Sequence, residues 1–150
     1  MKIISTTLLL LLTFATAFAQ SEKQVKWTFE AKKISADTYE VQMVASVGGN
    51  YHIYSQNAGD GPLPTKFDFT KNPLVTLNGK VKENGAMVKK FEEAFKSDVR
   101  YFEKTVTFVQ LVKVKGKAKT NVSGKVEFMV CNDRECLPPS TVNFKVAVGG

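Results

Sequence analysis

Cysteine and histidine are scarce in this 150-residue chain, which has two cysteines, Cys131 and Cys136, and one histidine, His52. Two thiols and one imidazole fall short of the four ligands of a structural zinc site, so neither a metal nor a cofactor is expected. The 14 acidic residues form no paired motif pointing to hydrolysis, and no Ser/His/Asp constellation can be read. The lysines are scattered, densest in "KVKGKAKT" at 113 to 120. They are not interleaved with stacking aromatics or set in a nucleic-acid motif, so no nucleic-acid partner is expected. Internal repeats and low-complexity tracts are missing as well. After the first 20 residues, no apolar run is long enough to cross a membrane.

The N-terminus sets the compartment. "MKIISTTLLLLLTFATAFAQ" carries one positive residue, Lys2, then an apolar run centred on Leu8 to Leu12. It closes with Ala17-Phe18-Ala19, a small-x-small cleavage pattern before Gln20. The apolar core is shorter than the roughly 20 residues of a membrane span. No cysteine sits at the cleavage point to carry a lipid. Residues 1–19 therefore read as a secretion signal that is removed, and residues 20–150 as one domain with its own core. The expected location is periplasmic or secreted. The formal charge of +7 loses one unit with Lys2, and the remaining basic surface could steer an acidic protein partner.

Period-two alternation with turn residues between the runs dominates the rest. Val25, Trp27 and Phe29 alternate with polar residues, as do Tyr39, Val41, Met43 and Ala45. "YHIYSQ" precedes a Gly/Pro-rich loop, "NAGDGPLPT". Short strands are predicted at 66–69 and 74–77, and stronger ones at 105–114, 122–130 and 141–148. Many short strands with few helical signals predict an all-β, immunoglobulin-like antiparallel sandwich. The cysteines lie too close in sequence to join its two sheets. One segment departs from the alternation. Met87, Phe91, Phe95 and Val99 recur every four residues, which fits a helical face and predicts a short helix or a cap loop at one end of the sandwich.

An exported protein meets oxidants, and two cysteines there read first as a disulfide. "VEFMVC" enters the motif as a strand and "STVNFKV" leaves it as one, so Cys131 and Cys136 should face each other across a hairpin-like loop. Closing about six residues contributes roughly 2 kcal/mol on the chain-entropy model, less than a bond between distant strands would. A disulfide at the end of a sandwich is also open to a partner's thiolate. Pro138 and Pro139 each lack an N–H and discourage regular pairing just after Cys136. From the residues alone, a structural staple and an exchange centre both stand.

"CNDRECLPP", together with "GNYHIYSQ" (49–56), "GPLPTKFDF" (61–69), the 91–110 segment and the closing strand, resembles the N-terminal periplasmic domain of the thiol:disulfide interchange protein DsbD. The resemblance covers most of the chain after residue 19. It implies an immunoglobulin-like sandwich that acts as a protein-disulfide reductase or interchange component. A thioredoxin-fold donor would reduce the cysteine pair, which would then reduce thioredoxin-fold or other periplasmic acceptors. It further implies that Cys136 forms the mixed disulfide and that Cys131 resolves it. An aromatic cap shields the pair in that family, and Phe95 is the best match, with Phe91 the competitor. Tyr54 matches one of two tyrosines beside the pair, and His52 stands where the other would be. The chain departs from the family's pattern in placing four residues, not five, between the cysteines. It also carries no transmembrane or thioredoxin-like part, so the donor would be a separate chain. The rival reading is a non-enzymatic immunoglobulin-like binding module whose disulfide is purely structural.

Overall fold

The computed structural model describes residues 20–150; the secretion signal read at residues 1–19 lies outside the described residues. One turn of helix, α1 (Gln20–Gln24), leads into nine strands. These are β1 (Val25–Lys33), β2 (Thr38–Val47), β3 (His52–Tyr54), β4 (Lys66–Phe69), β5 (Val75–Glu92), β6 (Ser97–Val114), β7 (Thr120–Phe128), β8 (Val130–Cys131) and β9 (Ser140–Val148). Every pairing between them is antiparallel. The first sheet runs β1-β2-β6-β3-β8 with β5 on the other side of β6, and the second runs β4-β7-β9. The two sheets face each other as the expected sandwich.

Alternation explains the core. Tyr39, Val41, Met43 and Ala45 of β2 are buried while their neighbours are not, as a strand with one face on a core requires. The same face continues through Val106, Phe108, Val112 and Val114 of β6 and meets Val122, Val126, Phe144 and Val146 of the second sheet. Trp27 anchors the middle, its ring 5.4 Å from Phe128 and 5.9 Å from both Phe29 and Phe108. Fully burying side chains of this size contributes about 1.5–3 kcal/mol each.

β6 organises the first sheet. Residues 105–113 pair with β2, and Tyr101 and Phe102 pair with β3, so one strand spans the core end and the other end of the molecule. β5 runs along its opposite edge, with register shifts between Asn78 and Lys82 and between Gly85 and Met87. Buried Gln110 stays satisfied at the first shift by donating Nε2 to the carbonyls of Asn78 (3.2 Å) and Leu111 (2.8 Å). The predicted strand at 74–77 is thus only the start of β5, and the one at 105–114 is the second half of β6.

The helical alternative for residues 87–99 does not form. The segment is the end of the β5–β6 hairpin, whose tip is a turn closed by a hydrogen bond from Phe95 N to the Glu92 carbonyl at 3.1 Å. Lys96, at φ 50°, returns the chain to β6. A four-residue repeat is also two strand periods, so the apolar spacing was compatible with both structures. Met87 and Phe91 lie opposite Phe102 and Asp98, whereas Val99 lies opposite Lys90. The repeat is therefore divided between two faces of the hairpin, with Met87 and Phe91 exposed and Val99 buried. The cap-loop alternative describes the tip.

Candidate functional site

β3 is three residues long, yet it places the site. Ile53 pairs with Phe102 on one side and Val130 on the other, and all three enter the sandwich core. The flanking residues point the opposite way. His52 pairs with Cys131 and Tyr54 with Tyr101, on the outer face of the first sheet. There Tyr54, Tyr101, Val99, Ala58 and Cys131 form a second buried cluster, joined by Val88, Phe95 and Met129 at its margin. One period-two alternation thus divides three neighbouring strands between the core and the site.

The cysteines meet as expected. Cys131 and Cys136 form an antiparallel bridge with Cα atoms 4.0 Å apart, and a disulfide joins them. Their loop is built by its own polar groups. Asn132 N donates to the Glu135 carbonyl at 2.9 Å, while Asn132 Oδ1 accepts from the N–H groups of Arg134 (2.8 Å) and Glu135 (2.9 Å). This is an Asx-type turn, a use to which asparagine is suited. Leu137 N then closes onto the Val130 carbonyl at 2.9 Å. Tyr51 Oη donates to Glu135 Oε1 at 2.8 Å, tying the loop to the approach of β3. Behind it, Ser21 Oγ of α1 donates to the Pro138 carbonyl. The two sulfurs differ in surroundings: Cys131 is 2 % exposed, whereas Cys136 lies at the surface.

Three rings surround Cys131. His52 is buried, stacks on Tyr101 at a centroid distance of 4.1 Å, and has Nε2 3.2 Å from Tyr54 Oη. Burial pushes its pKa down to about 4, assisted by Lys90 and opposed by Asp133, so the imidazole is neutral near pH 7. Burial pushes the phenols of Tyr54 and Tyr101 up, with Glu92 adding to both. Both phenols therefore remain protonated. Cys131 thus shares its buried face with an imidazole and two phenols that are uncharged near pH 7.

The hairpin tip lies over the loop. Residues 90–95 and 131–136 together line a cleft of about 480 Å³ in which both cysteines sit. Phe95 is half-buried, with its ring edge-on to Tyr54 at 6.3 Å. Phe91 lines the same cleft but is 53 % exposed. The structure thus gathers Cys131, Cys136, Phe95, Phe91, Tyr54 and His52 in one place. The sequence reading missed Tyr101, Tyr51 and Glu135. Tyr101 shares its face with Val99, two residues before it, but reading 87–99 as helical hid that alternation. The Tyr51–Glu135 bond joins residues 84 apart and carried no local signal.

Such a site can perform thiol–disulfide exchange, because an accessible sulfur lies in a bond to a shielded one. Among the described residues, no group of three or more His, Cys, Asp or Glu is placed to hold a metal.

The comparisons with known proteins agree with the fold. No curated protein matches the chain. Among solved structures, the reduced-form N-terminal domain of DsbD from Neisseria meningitidis superposes with a TM-score of 0.56 at 15 % identity, covering 86 % of this chain and 89 % of that one. The N-terminal periplasmic domain of ScsB from Proteus mirabilis superposes at 0.54 with 13 % identity, covering 83 % of this chain and 45 % of that one. At these identities the superpositions establish the fold. The family model for the N-terminal part of the thiol:disulfide interchange protein DsbD matches residues 16–148, and on that match the chain belongs to the DsbD N-terminal domain family, whose chemistry is thiol–disulfide exchange.

Proposed function

We propose that this domain is a periplasmic or secreted, cofactor-free relay that carries two electrons on the Cys131/Cys136 pair. The observation that carries the reading is the asymmetry of the disulfide, with Cys136 at the surface and Cys131 buried among His52, Tyr54 and Tyr101. The donor is a dithiol protein of thioredoxin fold. Its thiolate attacks Cys136 Sγ, the Cys131–Cys136 bond breaks, and Cys131 leaves as a thiolate that takes up a proton. The donor's second thiolate then attacks the mixed disulfide, leaving the donor oxidised and the pair reduced. In the second half, the Cys136 thiolate attacks an acceptor disulfide. Cys131 resolves that mixed disulfide, returning the pair to its oxidised form and leaving the acceptor as a dithiol.

Access favours Cys136 as the attacked sulfur, since exchange requires an in-line approach to the sulfur and a leaving group behind it. The phenols of Tyr54 and Tyr101 and the neutral His52 are positioned to solvate the departing Cys131 sulfur. Phe95, packed at the margin of the cluster that holds Cys131, serves as a cap that restricts approach to the pair between encounters.

The test is a trapping experiment. Cys131→Ser removes the resolving thiol, so a mixed disulfide through Cys136 should persist and be recovered with a thioredoxin-fold partner. Cys136→Ser should trap far less. Equal trapping by both variants would overturn the assignment of roles. Trapping by neither would favour the binding module with a structural disulfide.

A further inference from the structure

The cap does not stand alone, because Phe95 is seated on the backbone of a loop distant in sequence. A Cβ added at Gly61 would lie 2.5 Å from Phe95 Cδ1 and 2.8 Å from its Cβ and Cγ. Only a residue without a side chain leaves room for the ring there, and φ at Gly61 is 111°, a conformation open to glycine. The ring also lies edge-on to Tyr54 at 6.3 Å, and Tyr54 is fully buried. Phe95 thus contacts both the bare Cα of Gly61 and the buried ring of Tyr54.

The seat is fastened to the strand that follows the hairpin tip. Arg100 N donates to the Ala58 carbonyl at 2.8 Å, Arg100 Nη1 to the Asn57 carbonyl at 3.3 Å, and Ser97 Oγ to the Asp60 carbonyl. Gly59 continues the close approach, since a Cβ there would lie 2.3 Å from the Asp98 carbonyl oxygen. Segment 57–61 and the start of β6 therefore form one bonded unit carrying both the ring and its support.

We propose that Gly61 is a positioning residue for exchange: its bare Cα fixes Phe95 against the cluster that holds Cys131, in the cleft it lines with the disulfide, and the 57–61 segment is the backstop of the cap. This deepens the relay reading by naming what controls access to its disulfide. A methyl group at position 61 would expel the ring from its seat. Because the cluster beneath the ring is buried and the ring itself is half-exposed, the displaced ring moves toward solvent and its cover of the disulfide is lost.

The experiment follows reduction of the disulfide in the full chain by 2-mercaptoethanol, with melting temperatures measured in parallel. Gly61→Ala should speed reduction by at least about threefold, because attack on a disulfide is limited by access to its sulfur. Gly79→Ala is the control for backbone strain, having φ 72° with nothing within 4 Å of its added Cβ, and it should leave the rate unchanged. In a Phe95→Ala background, Gly61→Ala should add nothing, an outcome that general loosening of the fold would not give. Ser97→Ala removes one fastening without adding bulk and should act in the same direction, again only while Phe95 is present. It decides the matter if Gly61→Ala fails to fold. Unchanged rates in the folded variants, or the same gain with and without Phe95, would overturn the proposal. Partner trapping by Cys131→Ser is read separately, so the backstop and the relay can fail independently.

Discussion

His52 and Cys131 are direct cross-strand partners between β3 and β8, and both are buried on the outer face of the first sheet. The imidazole beside the shielded sulfur is kept neutral by burial, with its pKa lowered to about 4 from 6.5. The groups facing it are Tyr54, Tyr101, Asp133 and Lys90.

Acid should therefore destabilise the fold through this residue. Above pH 6.5 the ring is neutral in both the folded and unfolded states, and its contribution is fully present. Between pH 6.5 and 4 the unfolded chain takes up a proton that the folded chain refuses, so stability falls with pH; below 4 the curve flattens. The loss through His52 should be about 2 kcal/mol, allowing for partial screening by solvent. Urea unfolding at a series of pH values should show this slope in the parent and lose it in His52→Phe. Parallel curves for the two proteins would show that the imidazole does not carry it.

Phe95→Ala should expose the disulfide more than it weakens the domain. The ring is half-buried at the margin of the outer cluster, so its loss should cost about 1 kcal/mol, below the value for a fully buried phenylalanine. Reduction by glutathione should accelerate clearly. A large drop in melting temperature with an unchanged reduction rate would place the ring in a structural role.

The reduction potential of the pair should lie above the roughly −300 mV typical of inert structural disulfides. Cys136 is at the surface, and closing so short a loop constrains the unfolded chain less than a long-range bridge would. Equilibration against defined thiol buffers, with the free thiols quantified, measures it. A much more negative value would mark the bond as a staple.

Glu83 should matter to the loop that follows β3 and packs against Phe95. Its carboxylate accepts from Ser55 Oγ at 2.8 Å and from Gln56 N at 2.7 Å, pinning the chain as it leaves β3. Charge-assisted bonds of this kind contribute about 1.5–3 kcal/mol each. Glu83→Ala should lower stability by about 2 kcal/mol, with Glu83→Gln, which keeps an acceptor oxygen, losing less. Hydrogen exchange at residues 55–61 should rise in both variants. Unaltered exchange there would remove Glu83 from the support of the loop.

The fold was legible wherever alternation met turn residues. β4 was read as it stands, and β2, β7 and β9 were read to within a few residues, because one face of each lies on the sandwich core. The β5–β6 hairpin was not legible as such. Its apolar residues at spacing four satisfy helix and strand alike, and its two register shifts interrupt the simple pairing. Phe95, Phe91, Tyr54 and His52 came from the family resemblance, and the structure brings them beside the cysteines. Tyr101, Gly61 and Glu135 became visible only through tertiary contacts. No local pattern marks a glycine whose bare Cα lies against a ring 34 positions along the chain.

The division of β3, β6 and β8 between core and site has a consequence for divergence. Ile53, Phe102 and Val130 hold the sandwich together, while His52, Tyr54, Tyr101 and Cys131 stand on the opposite face of the same strands. A substitution on the outer face therefore changes the second cluster and not the residues that face the sandwich core. The surroundings of the disulfide can thus change while the inner core keeps its residues, even though adjacent positions encode the two.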